Sequence, residues 1–250
     1  AELGAVYDSG ALSNRNMIIN GAMQCWQRDT TATTVSGSSG VYDTVDRFKL
    51  WEDTDGAYTS EQSTTVPDGF GYSLKLQVTT ADTSLSSAQY SCIAQIIEAQ
   101  SLQHLAYGTD AAKDVTVSFY VRSNKTGTYG FCLEKNDSTR YLFVKEFTID
   151  AADTWERKII KVAPDSQIKA SGGAIANNSG TGFRAFIFLA SGSTYNGATN
   201  NAWGTNTSHF TTSNQVNWMD STSNNFYLTG MQLEVGTEAT PFEHRSYADE

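Results

Sequence analysis

The chain has 250 residues, a formal net charge of −10, and 12 Tyr, 12 Phe and 5 Trp. That length suffices for a large core, and the aromatic content argues against disorder despite a strong polar bias. The acidic balance, with no Lys/Arg cluster, argues against nucleic acid or an anionic membrane surface as partner, and no apolar run approaches the ~18 residues of a membrane span. An acidic, hydroxyl-rich surface fits a neutral partner such as a glycan.

Abundant Gly, Ser, Thr, Asn and Asp suit strands joined by polar turns rather than long helices. The three cysteines, Cys25, Cys92 and Cys132, are widely spaced with no CxxC, and each sits among apolar or strand-like residues. They read as buried free thiols. The chain opens on Ala1 rather than Met and shows no signal peptide, so a processed or excerpted piece of a longer protein is expected.

In chain order, residues 1–15 are small and polar and read as an arm or linker. Asn16–Met23 reads as a strand ending in an Asn20-Gly21 turn, with the Asn20-Gly21 pair supplying positive φ. A polar loop follows at 29–40, then an alternating stretch from Val41 to Trp51 with Val45 and Phe48–Leu50 near the core. Asp46-Arg47 is placed within that strand, its guanidinium tying loops or meeting a ligand.

Tyr72–Val78 alternates, and Tyr90, Cys92, Ala94 and Ile96 share one face of the next strand. Glu98–Leu105 is the one short helical candidate. In 114–122, Val115, Val117, Phe119 and Val121 share a face, and Asn124–Gly127 reads as a hairpin turn into Tyr129–Glu134. Strands follow at Tyr141–Ile149 and Trp155–Val162. Phe183–Ala190 is apolar on both faces and belongs at a sheet centre. Residues 191–225 form a long polar loop carrying aromatics, and Asn225–Val235 is the last strand.

This is about ten to twelve strands at sandwich-like spacing, with no βαβ rhythm and no internal repeat. The expected fold is all-β: an antiparallel, jelly-roll-like β-sandwich over 16–250, with one short helix and long polar loops.

Three groups of residues together resemble a known family. They are Asn14–Gln24 followed by Trp26-Gln27-Arg28; Tyr42 with Asp46-Arg47-Phe48; and Phe226–Gly236 followed by Ala239–Tyr247. Gln95–Glu98, His104-Leu105 and Phe119–Gly127 add to the likeness, which covers roughly residues 14–250. The resemblance is to bacteriophage tail-fibre and virion modules, themselves similar to carbohydrate-binding modules of jelly-roll type. It implies a structural and adhesive role in the virion: a tail or capsid fibre module, made in the host bacterial cytoplasm, joined to other virion proteins as a homotrimer, and meeting a host-surface glycan. It carries no catalytic residues. A purely architectural decoration or connector protein is the alternative, and a glycan-degrading enzyme the third.

The aromatic-bearing loop is the candidate ligand region, through Tyr195, Trp203, Trp218 and the neighbouring Asn217, since sugar rings stack on aromatic faces and loops on a rigid sandwich carry sites. The same aromatics are also suited to anchoring the loop or meeting a neighbouring subunit. No cofactor is expected. A structural Ca²⁺ at Glu52, Asp53 and Asp55 stays open, although the place that holds an acid in related modules has Met23-Gln24 here. His104, His209 and His244 are scattered and belong to no catalytic motif, so no enzyme is expected; a carboxylate pair, being spatial, is not readable.

Overall fold

The computed structural model describes residues 15–37 and 40–250. Among these residues twelve strands form two six-stranded sheets: β1 (Thr33–Val35), β2 (Phe48–Glu52), β3 (Ala57–Ser63), β4 (Ser73–Thr80), β5 (Tyr90–Glu98), β6 (Val115–Ser123), β7 (Gly127–Lys135), β8 (Tyr141–Ile149), β9 (Glu156–Val162), β10 (Thr181–Ser191), β11 (Ala202–Gly204) and β12 (Asn225–Val235). The first sheet runs β1-β3-β4-β12-β6-β9 and the second β11-β8-β7-β10-β5-β2. All strand pairs are antiparallel. The expected all-β antiparallel sandwich is what the chain forms. Among the described residues, no helix is long and apolar enough to cross a membrane.

Alternation explains the core. From the first sheet, Leu74, Leu76, Val117, Phe119, Val121, Phe226 and Leu228 point inward and are fully buried. From the second come Ile93, Phe131, Leu133, Phe183 and Ile187. Phe119 on β6 meets Phe131 on β7 across the interface at 6.3 Å between ring centroids, and Phe147 on β8 edge-on at 5.2 Å. Each such ring contributes roughly 1.5–3 kcal/mol by leaving water.

Among the described residues helix is scarce: 3₁₀ segments at Ala99–Leu105, where a short helix was expected, at Ser171–Gly173 and at Trp218–Asp220, and one α turn, α1 (Ser166–Lys169). The α turn is capped by Asp165, whose carboxylate accepts from the backbone N–H of Gln167 and Ile168 at 2.9 and 3.0 Å.

Three local expectations are corrected. Residues 16–23 are a series of turns rather than a strand, because Asn20 and Met23 adopt φ of 57° and 54°. Asp46-Arg47 precedes β2 instead of lying in a strand, with Arg47 exposed at φ 72°; it is Arg28, at 2.7 Å, that pairs with Asp46. Asn124–Gly127 is a crossover between sheets, since β6 pairs with β9 and β12 while β7 pairs with β8 and β10. Of the expected arm, residues 1–14 lie outside the described residues. Arg15 is joined to the body, donating to Thr240 Oγ1 at 2.8 Å and Pro241 O at 2.6 Å.

The turns at 16–23 are locked by two buried amides. Asn16 Oδ1 accepts from Ile18 N and Leu233 N, both at 3.0 Å, and its Nδ2 donates to Met231 O. Asn20 Nδ2 donates to Cys25 O and Asp46 O, while its Oδ1 accepts from Gln24 N and Cys25 N. Both side chains replace ladder partners that an extended strand would have supplied. The segment docks where β12 is bulged: its register with β6 shifts between Thr229 and Gln232, with Gly230 at φ 62°. Gly21 fits there because a Cβ would lie 2.1 Å from Met231 O; within the Asn20-Gly21 pair it is Asn20 that takes the expected positive φ.

The closing segment seals this clasp. Glu234, buried in β12, accepts from Thr240 N at 2.9 Å and Thr240 Oγ1 at 2.7 Å. Glu243 accepts from Asn16 N at 2.9 Å, and its own N–H donates to Gln232 Oε1 at 2.8 Å. Asn16→Ala would strand two buried N–H groups and one carbonyl, each worth about 1–3 kcal/mol. A large drop in unfolding free energy by urea titration is therefore expected. A loss below about 1 kcal/mol would show that the clasp is incidental to stability.

Candidate functional site: a groove on the outer face of the second sheet

Strand register places a second set of side chains on the outward face of the second sheet. One row across it is Trp51, Cys92 and Phe188; the next is Lys49, Ala94, Phe186, Cys132 and Val144; the third is Ile96, Arg184, Glu134 and Leu142. The stripe Tyr90, Cys92, Ala94 and Ile96, legible in the sequence, belongs to this outer face. Cys92, Ala94, Cys132, Leu142, Val144, Phe186 and Phe188 form a second buried apolar cluster, separate from the core between the sheets. The sheet is covered on both sides, which is why β10 is apolar on both faces.

The cover is the polar loop after β10. Phe210 stacks on Phe188 at 5.5 Å and 28° and meets Phe186 edge-on. Tyr195 meets Tyr90 edge-on at 5.2 Å. Gln215 accepts from Gly130 N at 2.7 Å, fastening the loop to β7. The cover stops short of β2 and of the far ends of β7 and β10. A cavity of about 440 Å³ remains there, floored by Trp51, Phe186 and Phe188 and walled by Lys49, Tyr90, Arg184, Arg140, Tyr195, Thr207 and Ser208.

Its chemistry is mixed. Trp51 is half-buried and sits 6.0 Å from Phe186, and the Lys49 ammonium lies 4.5 Å from the centroid of the indole. Glu134, with no exposed side-chain surface, is gripped by two guanidiniums. Arg140 contributes Nε at 2.9 Å and Nη2 at 3.2 Å, in bidentate fashion, and Arg184 contributes Nη1 at 2.8 Å. The Arg140 guanidinium also lies 5.3 Å from the Phe210 ring centroid. Burial, reinforced by Cys92, Asp53 and Tyr195, pushes the Tyr90 phenol up to about 12, so it stays a neutral hydroxyl donor.

Of the four residues expected from sequence, only Tyr195 lines this groove. Trp203 is buried at 7% exposure, packs on Phe143 and Tyr107, and donates through Nε1 to Ala163 O at 2.9 Å. Trp218 is fully buried against Tyr58 and Phe226, with Nε1 donating to Asn225 O. Asn217 spends its amide on Asp82 O and Met219 N. Trp203 and Trp218 anchor the loop, since a buried ring has no face to offer a sugar, and Asn217 caps the short 3₁₀ turn at Trp218–Asp220.

The groove residues Lys49, Trp51, Tyr90, Glu134, Arg140, Arg184 and Phe186 went unflagged. The signal for them was Arg184 within an otherwise apolar strand, paired in register with the acid of β7. Glu52, Asp53 and Asp55 are not gathered as ligands; the Glu52 carboxylate turns inward and accepts from Thr54 N at 2.9 Å. Among the described residues no group of three or more His, Cys, Asp or Glu is placed to hold a metal.

No protein-family model and no curated protein matches the chain. Solved structures of similar shape exist at low identity. A Bacteroides thetaiotaomicron protein provisionally described as sugar binding shares 11% identity over 88% of this chain and 100% of that one, with a TM-score of 0.47. A family 11 carbohydrate-binding module from Clostridium thermocellum, in complex with a β-1,3-1,4-mixed-linked tetrasaccharide, shares 12% over 79% of this chain and 94% of that one, TM-score 0.39. The enzymatically active domain of bacteriophage CBA120 tailspike protein 4 shares 8% over 88% of this chain but only 21% of its own length, TM-score 0.43.

Two outcomes follow from the placement of the loop anchors and the thiols. Trp218→Ala is expected to cost about 3–5 kcal/mol in chemical denaturation. Cys25, Cys92 and Cys132 are all buried and unpaired, and burial raises all three thiols. A thiol reagent should therefore label none of them in the native protein and all three after unfolding; rapid native labelling of Cys92 or Cys132 would mean that the loop does not cover the outer face.

Proposed function

We infer that this chain is a glycan-recognising, jelly-roll module of a bacteriophage virion, part of a tail or capsid fibre, and that it binds sugar in the groove on the outer face of the second sheet. The observation that carries the glycan reading is the groove itself. An aromatic floor on a rigid strand framework is combined with hydroxyl and guanidinium donors, in a volume typical of small-ligand sites. The apolar face of a sugar ring packs against Trp51, while Tyr90, Thr207 and Ser208 present hydroxyls to its oxygens.

Binding rather than cleavage fits the same residues. Glycoside hydrolysis uses a pair of acids flanking the bond. The one carboxylate among the described residues lining the groove, Glu134, is already committed to two arginines. The virion setting, the homotrimeric state and assembly with other virion proteins rest on the likeness of the opening and closing motifs to phage fibre modules.

Screening the full chain against neutral and acidic polysaccharides by affinity electrophoresis tests the glycan reading. Trp51→Ala is expected to reduce binding at least about tenfold, the equivalent of one lost 1.4 kcal/mol contact, and to lower the melting temperature somewhat, because the half-buried ring packs on Phe186, while the protein stays folded at the assay temperature. Retention of full affinity by that variant would move the ligand elsewhere. Mass measurement of the soluble protein checks the trimer, and an image of the intact particle its position.

A further inference from the structure

We propose that the groove selects an anionic sugar, one bearing a carboxylate or a sulfate, rather than a neutral one; this deepens the glycan reading and rests on it. The chain as a whole carries a net charge of −10, yet the groove lining holds three cationic heads, Lys49, Arg140 and Arg184, against one carboxylate, Glu134. A local positive excess in an acidic protein focuses anions at that one place and repels them elsewhere. The neutral partner suggested by overall composition averages over a surface that the groove does not share.

The cations are held ready. Glu134 has no exposed side-chain surface, while Arg140 and Arg184 keep 32% and 30% exposure, so the carboxylate orients the two guanidiniums from beneath and leaves them open to the groove. Arg140 uses Nε and Nη2 on Glu134, and Arg184 uses Nη1. Among the described residues, Nη1 of Arg140 and Nε and Nη2 of Arg184 have no protein acceptor. Planar N–H groups in this arrangement match the oxygens of a carboxylate or sulfate.

Lys49 sits on the opposite wall, over the Trp51 ring, and makes no ion pair among the described residues. A ring seated on Trp51 therefore has cationic groups on two sides. A wholly structural Arg–Glu–Arg tie would not need N–H groups left open to the groove, and the Lys49 ammonium, held over the Trp51 and Tyr42 rings, keeps its full charge available there.

The test uses matched polysaccharides that differ only in charge: polygalacturonate with its methyl ester, and a sulfated galactan with its desulfated form. Binding to the full chain is followed by titration at two salt concentrations. In at least one pair the anionic member should bind about tenfold or more tightly, and raised salt should weaken it. Which pair shows the preference separates carboxylate from sulfate. Arg184→Gln should lose that preference while keeping weak binding to the neutral member. If Arg184→Gln fails to fold, Lys49→Gln, outside the Glu134 tie, should lower both the preference and its salt dependence. Equal or tighter binding of the neutral member in both pairs overturns the charge inference and leaves glycan recognition standing. A folded protein that binds none of the four overturns both.

Discussion

The structure depends on how its two ends are fastened to one strand. β12 lies in the middle of the first sheet, between β4 and β6, and at its bulge it turns a backbone carbonyl and N–H out of the ladder. Met231 O accepts from Asn16 Nδ2, and Met231 N donates to Gly21 O. A buried bulge with unfilled groups would be costly. Here the opening segment fills them with one side-chain amide, that of Asn16, and one backbone carbonyl, that of Gly21, an arrangement that requires turns rather than a strand. The closing segment then caps the assembly through Glu234, Thr240 and Glu243. The two most recognisable motifs of the sequence, far apart in the chain, are therefore one physical object.

That clasp has a consequence for the other sheet. Gln95 of β5 accepts from Ile19 N and donates to Ile19 O, both at 2.7 Å, so the opening segment reaches both sheets. Asn20 also binds the backbone of Asp46, just before β2 begins. β2 is the edge strand that carries Lys49 and Trp51. The end of the sandwich that looks purely structural thus sets where one wall of the groove stands.

Much of this was legible in sequence. Regular strands were readable because alternation is enforced wherever one face meets a core; β8 and β12 match their expected bounds residue for residue. Irregular parts were not, because their geometry is set by distant partners. Nothing local in Asn16–Met23 announces that β12 is bulged opposite it. The groove was not legible for a related reason. Trp203 and Trp218 stand out in a polar loop, but a large ring in such a loop is valuable as an anchor, and both are consumed that way. Trp51 and Arg184 sit inside strands, where sequence cannot tell which face is the core and which is a second, covered surface.

The two-sided burial of the second sheet also explains why a groove exists at all. A sandwich needs apolar side chains on inward faces only; residues such as Cys92, Cys132, Phe186 and Phe188 on the outward face create a demand for a cover. The loop after β10 meets that demand with a few aromatic contacts, chiefly Phe210, and with hydrogen bonds to the strands beneath. Because it is tethered at the end of β10 and again where β11 pairs with β8, it covers the middle of the sheet and leaves the β2 side open. Where the cover ends, an aromatic floor meets water, and polar or charged groups must border it. Arg140 is placed at that border, its guanidinium bonded to Glu134 and facing the Phe210 ring, so one side chain both closes the apolar cover and opens the cationic wall.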